Sequence, residues 1–287
     1  MTEPAVIFDD RQCTLGEGPM WHPLRKQFFW FDILERRLLS IRDGKPLEWQ
    51  FDEYVSAAGW VDENRLLIAS QSRLFLFDLE SGAQEKVVAL EESNPITRSN
   101  DGRADPYGGF WIGTMGINAE EGAGAIYRLY QSELRTLFQG ISISNAICFS
   151  PDRQFAYFTD TRTKIVRRQQ LNAESGWPQG DAVDWLNLSE EGLAPDGAVI
   201  DSQGNFWNAQ WGAARVACYS PEGQFQRSID VSASQTTCPA FGGESKQDLL
   251  ITSAKVGLPQ DSENASAGKT YIAKSTISGQ QEHRVII

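Results

Sequence analysis

"RSNDGRADPYGGFWIGTM", Arg98–Met115, sets a cluster of polar side chains directly ahead of an apolar run of strand length. Asn-Asp-Gly is turn chemistry, because Asn and Asp bond to the local backbone and Gly adopts conformations closed to other residues. "GGFWIGTM" behind it is aromatic and β-branched, which suits a pleated, buried surface. Taken alone, the stretch is a solvated turn before a strand. It decides the fold because the same order of polar lead, apolar strand and tight turn recurs along the whole chain.

The leads are "LGEGPMWHP", "SAAGWVDEN", "SNDGRADPYG", "SNAICFSPD", "APDGAVIDSQG" and "TCPAFGGESKQ". Measured from Glu17, Ala58, Asp101, Asn145, Asp196 and Pro239, the successive steps are 41, 43, 44, 51 and 43 residues. Further strand-length runs lie between them, including "KQFFWFDI", "RLFLFDL", "QFAYFTDT" and "GNFWNAQWG", each bounded by Gly, Pro, Asp or Asn. Helical periodicity is sustained nowhere over the roughly 11 residues that would mark an amphipathic helix. The chain therefore reads as all-β. A multi-strand repeat of roughly 40 to 50 residues is the signature of propeller blades. Six leads predict a six-bladed β-propeller occupying residues 1–287 as one domain. The longest step contains "NAESGWPQGDAVDWLNLSEEGL", which reads as an insertion between strands, and "KTYIAKS" could re-enter the sheet to close the ring.

With 38 acidic and 26 basic residues the formal charge is −12. That balance repels phosphate backbones and anionic lipid, and no Lys/Arg cluster overrides it locally. Nucleic acid and membrane are not expected partners. "MTEPAVIFDD" lacks a basic segment followed by a long apolar run, so a soluble, cytoplasmic protein is the expectation. Cys13, Cys148, Cys218 and Cys238 are far apart and suggest buried, reduced thiols rather than a disulfide frame or a zinc site. Only His22 and His283 could serve a centre built on imidazole.

In a propeller the innermost strand of each blade runs along the central channel, so equivalent positions some 40 residues apart converge at one mouth. Glu17, Asn100, Asp101, Asn145 and Asp196 occupy about the same place in their repeats, with Arg98 just ahead. Carboxylate and amide oxygens gathered there are costly to desolvate unless something positive sits among them. A hard divalent cation does this without imidazole or thiolate. The competing reading is that each residue caps its own turn; Glu17, followed by Gly-Pro, has no evident capping role.

These segments, together and in order from "LGEGPMWHP" to "TCPAFGG", resemble the SMP-30/gluconolactonase/LRE-like family, also called the regucalcin family. The resemblance covers nearly the whole chain. It implies a six-bladed propeller that holds one divalent metal ion (Ca, Zn, Mn or Mg) and hydrolyses sugar lactones, its partner being a small-molecule lactone. Its metal ligands fall on Glu17 in "GEGP", Asn145 in "SNAI" and Asp196 in "PDGA", with Asp196 also the candidate catalytic base. Its substrate contacts fall on Arg98 and Asn100 in "RSNDG". Where some relatives place a sugar-binding carboxylate, this chain reads "GTMGINAEEGAG", which puts Asn118, or Glu120 or Glu121, at that rim. Two other classes use the same fold: a non-catalytic metal- or metabolite-binding propeller, and a protein-interaction propeller with a large exposed apolar rim.

Overall fold

A computed structural model describes residues 4–287. Among them there is no helix, and hence none long and apolar enough to cross a membrane. Six four-stranded antiparallel sheets form the six blades of a β-propeller. The inner strands of blades 1 to 6 are Gly16–His22, Val55–Trp60, Thr97–Ala104, Ser144–Phe149, Ala194–Ile200 and Thr236–Gly242. Each contains one of the six positions from which the repeat was measured.

The ring closes in blade 6. Its outermost strand is Val6–Asp9 from the other end of the chain, paired antiparallel with Thr270–Lys274, the strand carried by "KTYIAKS". Blade 6 is thus built from both ends, and opening the ring requires breaking that pairing.

The hydrophobic core lies between blades, not along the axis. Phe29, Phe31, Leu66 and Phe75 pack blade 1 on blade 2. Trp111, Phe149 and Phe158 pack blade 3 on blade 4, and Trp207, Phe241 and Tyr271 pack blade 5 on blade 6. Phe138 and Phe158 stack across the second of these seams with ring centroids 4.3 Å apart. Because this burial is satisfied between the sheets, the axial channel is left for small and polar side chains.

The segment read as an insertion differs from that expectation. Val183–Asn187 within it is the outer strand of blade 4. The turn before it crosses to blade 3, where the Ser175 carbonyl accepts a hydrogen bond from Arg128 (2.9 Å) and Trp177 lies against the Arg128 and Arg135 guanidinium groups. All four cysteines are buried and unpaired. None of the nine tryptophans is exposed, and the exposed large apolar residues, such as Leu24, Ile96 and Phe225, lie far apart in the sequence on different blades.

Candidate active site

Every inner strand starts at one end of the channel and finishes at the other, so the first residues of the strands share one mouth. The strands do not enter straight. Each of the four that bear the candidate residues carries a β-bulge there: between Glu17 and Met20, Ser99 and Gly102, Asn145 and Cys148, and Pro195 and Ala198. A bulge inserts an unpaired residue and re-aims side chains, here toward the axis. Gly18 (φ 54°) belongs to one of them, and a Cβ there would stand 2.1 Å from the Ser56 carbonyl oxygen. Ala146 (φ 58°), beside Asn145, takes the same left-handed conformation at the cost that a non-glycine residue carries.

The bulges put Glu17, Arg98, Asn100, Asn145 and Asp196 on the floor of a cavity of about 350 Å³. All five are at least nine-tenths buried. Arg98 Nη1 donates to the Ser99 carbonyl (2.9 Å) and to Asn100 Oδ1 (2.8 Å), while its Nε has no partner. Asn100 Nδ2 donates to the Ser144 carbonyl (2.8 Å) and to Asn145 Oδ1 (3.2 Å). Asn145 Nδ2 donates to Thr161 Oγ1 (2.8 Å), which donates in turn to the Pro195 carbonyl (2.7 Å). This chain fixes the amide of Asn145 with its oxygen inward and one lone pair to spare. Asn208, beneath the floor, donates to the carbonyls of Asp196 (3.0 Å) and Gly197 (3.1 Å), holding the fourth bulge.

The carboxylates are electrostatically exposed to one another. Glu17 accepts from the Gly18 amide (3.1 Å) and Asp196 from the amide of Gly197, but neither forms an ion pair. Burial, reinforced by the charge of Asp101, pushes Glu17 up to about 8. Burial, then the charges of Glu17 and Asp101, pushes Asp196 well above the usual carboxylate range. Asp101 does not line the cavity; it lies below, accepting the Ile147 amide (2.7 Å), and burial raises it to about 6. Arg98 is lowered to about 10 by burial and stays charged at neutral pH.

No group of three or more His, Cys, Asp or Glu side chains suited to a metal occurs among the described residues. The floor instead offers two buried, mutually repelling carboxylates and one oriented amide oxygen. Such all-oxygen donors, with Arg98 near them but in a direct ion pair with neither, suit a hard divalent cation. Burying the carboxylates is costly until a positive charge joins them.

Asn118 is a correction. It is exposed and outside the cavity: its backbone amide donates to Glu120 Oε2 and its side-chain amide to Glu120 Oε1, each at 3.0 Å. The two acids of that turn are outside as well, Glu121 pairing with Arg162 at 3.3 Å. The turn instead lends Ile117 and Ala119 to the wall. The apolar wall of the cavity, Thr161 and Trp211 all escaped the sequence reading. Thr161 carries a weak signal, as a hydroxyl in the turn after "QFAYFTD"; Trp211 carries none, since tryptophans in strands are usually core.

A sequence model described as the SMP-30/Gluconolactonase/LRE-like region matches residues 15–255. A Rhizobium meliloti (strain 1021) protein, provisionally named a sugar lactone lactonase, is 42% identical over 275 residues, covering 93% of this chain and 92% of its own. The L-arabinolactonase of Azospirillum brasilense is 33% identical over 290 residues, covering 98% and 95%. The crystal structure of regucalcin from Agrobacterium tumefaciens strain C58, described as a calcium-binding protein, superposes with a TM-score of 0.97 at 37% identity, covering 100% of this chain and 98% of that one.

Proposed function

The chain belongs to the SMP-30/gluconolactonase/LRE-like family, and from that premise we propose that it is a sugar lactonase: it opens aldonolactones to aldonic acids at the bulged mouth of the channel. The observation that carries this reading is the shared floor, where a buried guanidinium with an unpartnered Nε faces two unpaired carboxylates and an oriented amide. Glu17, Asn145 and Asp196 would hold one divalent cation. When bound, that cation supplies the Lewis acidity that polarises a lactone carbonyl and stabilises negative charge on its oxygen.

The remaining steps belong to the side chains. The Arg98 guanidinium donates to a lactone hydroxyl, and the remaining lone pair of Asn100 Oδ1 accepts from another, which sets the carbonyl carbon over the floor. A carboxylate oxygen of Asp196 takes the proton of the attacking water as its oxygen bonds to that carbon. When the ring C–O bond breaks, the same proton passes from Asp196 to the departing ring oxygen, leaving the hydroxy acid. Asn208 keeps the backbone of Asp196 in place for both transfers.

The test is hydrolysis of D-glucono-1,5-lactone and L-arabinono-1,4-lactone before and after removal of divalent cations. Turnover that a chelator abolishes and added Ca²⁺, Mn²⁺ or Zn²⁺ restores is expected. Turnover undiminished in metal-free protein would overturn the role given to Glu17, Asn145 and Asp196, and absence of turnover with every cation would overturn the activity.

A further inference from the structure

Above its polar floor the cavity is walled by Leu15, Leu34, Ile117, Ile143, Trp211 and Val256. They come from blades 1, 3, 4, 5 and 6, so apolar side chains meet a bound molecule from nearly every direction. Apart from the indole N–H of Trp211, these six side chains carry no hydrogen-bonding group. The polar side chain that adjoins them, Thr161, has given its proton to the Pro195 carbonyl and accepts from Asn145, so it has no hydrogen left to donate to a ligand. Arg98 is the one cation lining the cavity, and it belongs to the floor.

An unsubstituted aldonolactone carries hydroxyls at both ends. With its carbonyl end on the floor, the carbon farthest from the carbonyl lies among aliphatic side chains. A hydroxyl there loses water and meets few side-chain partners, the Trp211 indole N–H and one lone pair of Thr161, whereas a methyl group buries apolar surface on every other side. Resting on the lactonase reading above, we propose that the preferred substrates are deoxy aldonolactones, with a methyl in place of the terminal hydroxymethyl, and that the wall side chains Ile117 and Val256 contribute to that choice. The same wall excludes lactones with a phosphate or sulfonate at that end, for which it offers no second cation.

The experiment compares kcat/KM of the cation-loaded protein for two pairs that differ only in the terminal hydroxyl: L-fucono- against L-galactono-1,4-lactone, and L-rhamnono- against L-mannono-1,4-lactone. In the series turned over faster, the deoxy lactone is expected to be preferred about 10- to 100-fold, the range that one small group in an apolar site supplies. Val256→Thr and Ile117→Thr place a hydroxyl on half-buried wall positions, the first with little change of shape and the second with loss of one methyl group, and at least one is expected to reduce that preference several-fold. A ratio near or below one overturns the proposal and leaves the lactonase reading intact. The same holds if L-arabinono-1,4-lactone is opened and none of the four is. A preference unchanged in both threonine variants overturns the assignment to the wall, and failure to open any lactone overturns the lactonase reading and this inference with it.

Discussion

The two ends of the channel bury charge in opposite ways. At the mouth, Glu17 and Asp196 have no ion-pair partner and Arg98 Nε has no acceptor, around a space of about 350 Å³. At the far end, Arg103 and Glu282 face each other at 3.1 Å, and the space beside them is about 20 Å³, room for roughly one water. Residues 279–286 run across that end. Gln280 donates to the carbonyls of Phe149 and Ile200, Trp60 donates to that of Glu282, and the amides of Val285 and Ile286 donate to those of Trp60 and Gly108. One end is completed by the chain itself. The other has its polar groups oriented yet uncompensated, an arrangement that costs stability and is useful only where a ligand finishes it.

That contrast is broken most severely at the mouth. Asp196→Asn keeps an oxygen toward the cation but cannot take a proton, so at saturating cation kcat is expected to fall about 10²- to 10⁴-fold. Cation titration alongside the kinetics checks that the ion still binds; a near-normal kcat with the cation bound would remove Asp196 as the base.

At the closed end the largest effect is on stability. Glu282→Ala leaves Arg103 buried without its partner and is expected to cost about 3 to 5 kcal/mol in urea unfolding, with KM for lactones little changed because the mouth is untouched. A loss well below 1 kcal/mol would show that the pair does not close that end.

Arg98→Ala comes next, expected to lower kcat/KM by about 1.5 to 3 kcal/mol while cation affinity holds, since a guanidinium donates to hydroxyls but does not ligate a metal. Parallel loss of cation binding would instead make Arg98 a support for Asn100 and Asn145, to which its hydrogen bonds lead.

The mildest test sets the ends against each other by pH. Both histidines lie at the closed end, and burial lowers each to about 4; His22 is held neutral between the Arg25 amide and the Asp62 carbonyl. A folded value below the ordinary 6.5 means that their contribution is full above pH 6.5 and is lost as pH falls toward 4. Glu17 has the opposite sign. Raised to about 8, it contributes fully below its ordinary 4.5 and loses that contribution as pH climbs through 8. In chelator-treated protein, hydrogen-exchange protection of the Val285 and Ile286 amides should therefore fall between pH 6.5 and 4. The rise in melting temperature on adding a divalent cation should be larger at pH 8 than at pH 5.5. Identical pH responses at both ends would count against the contrast.

The sequence reading found the inner and middle strands but missed most of the outermost ones. Lys45–Gln50 and Gln84–Ala89 are largely solvated, so they lack the dense apolar signature of middle strands such as Gln27–Asp32. Asn118 was misplaced because its position after "GTM" says nothing of which way a turn aims its side chain, and Glu120 captures it. Nor did the sequence show that both amide hydrogens of Asn100 are spent inside the protein, which leaves only its Oδ1 for a ligand and makes the residue a link between Arg98 and Asn145 as well.

By itself, the sequence determined the all-β class, the six-blade count and the convergence of Glu17, Arg98, Asn100, Asn145 and Asp196, though it also counted Asp101, which lies below the cavity. Those follow from short-range chemistry repeated at a regular step: turn residues, apolar strands, and a polar group at the same place in each unit. Only the tertiary structure decided which way each group points, that two carboxylates would be left without ion pairs, that Trp211 would leave the core for a cavity wall, and that the chain's last residues would close the opposite end. Each depends on bulges, burial and contacts between residues as far apart as Arg103 and Glu282, and the energies of such contacts exist only once the blades have been brought together.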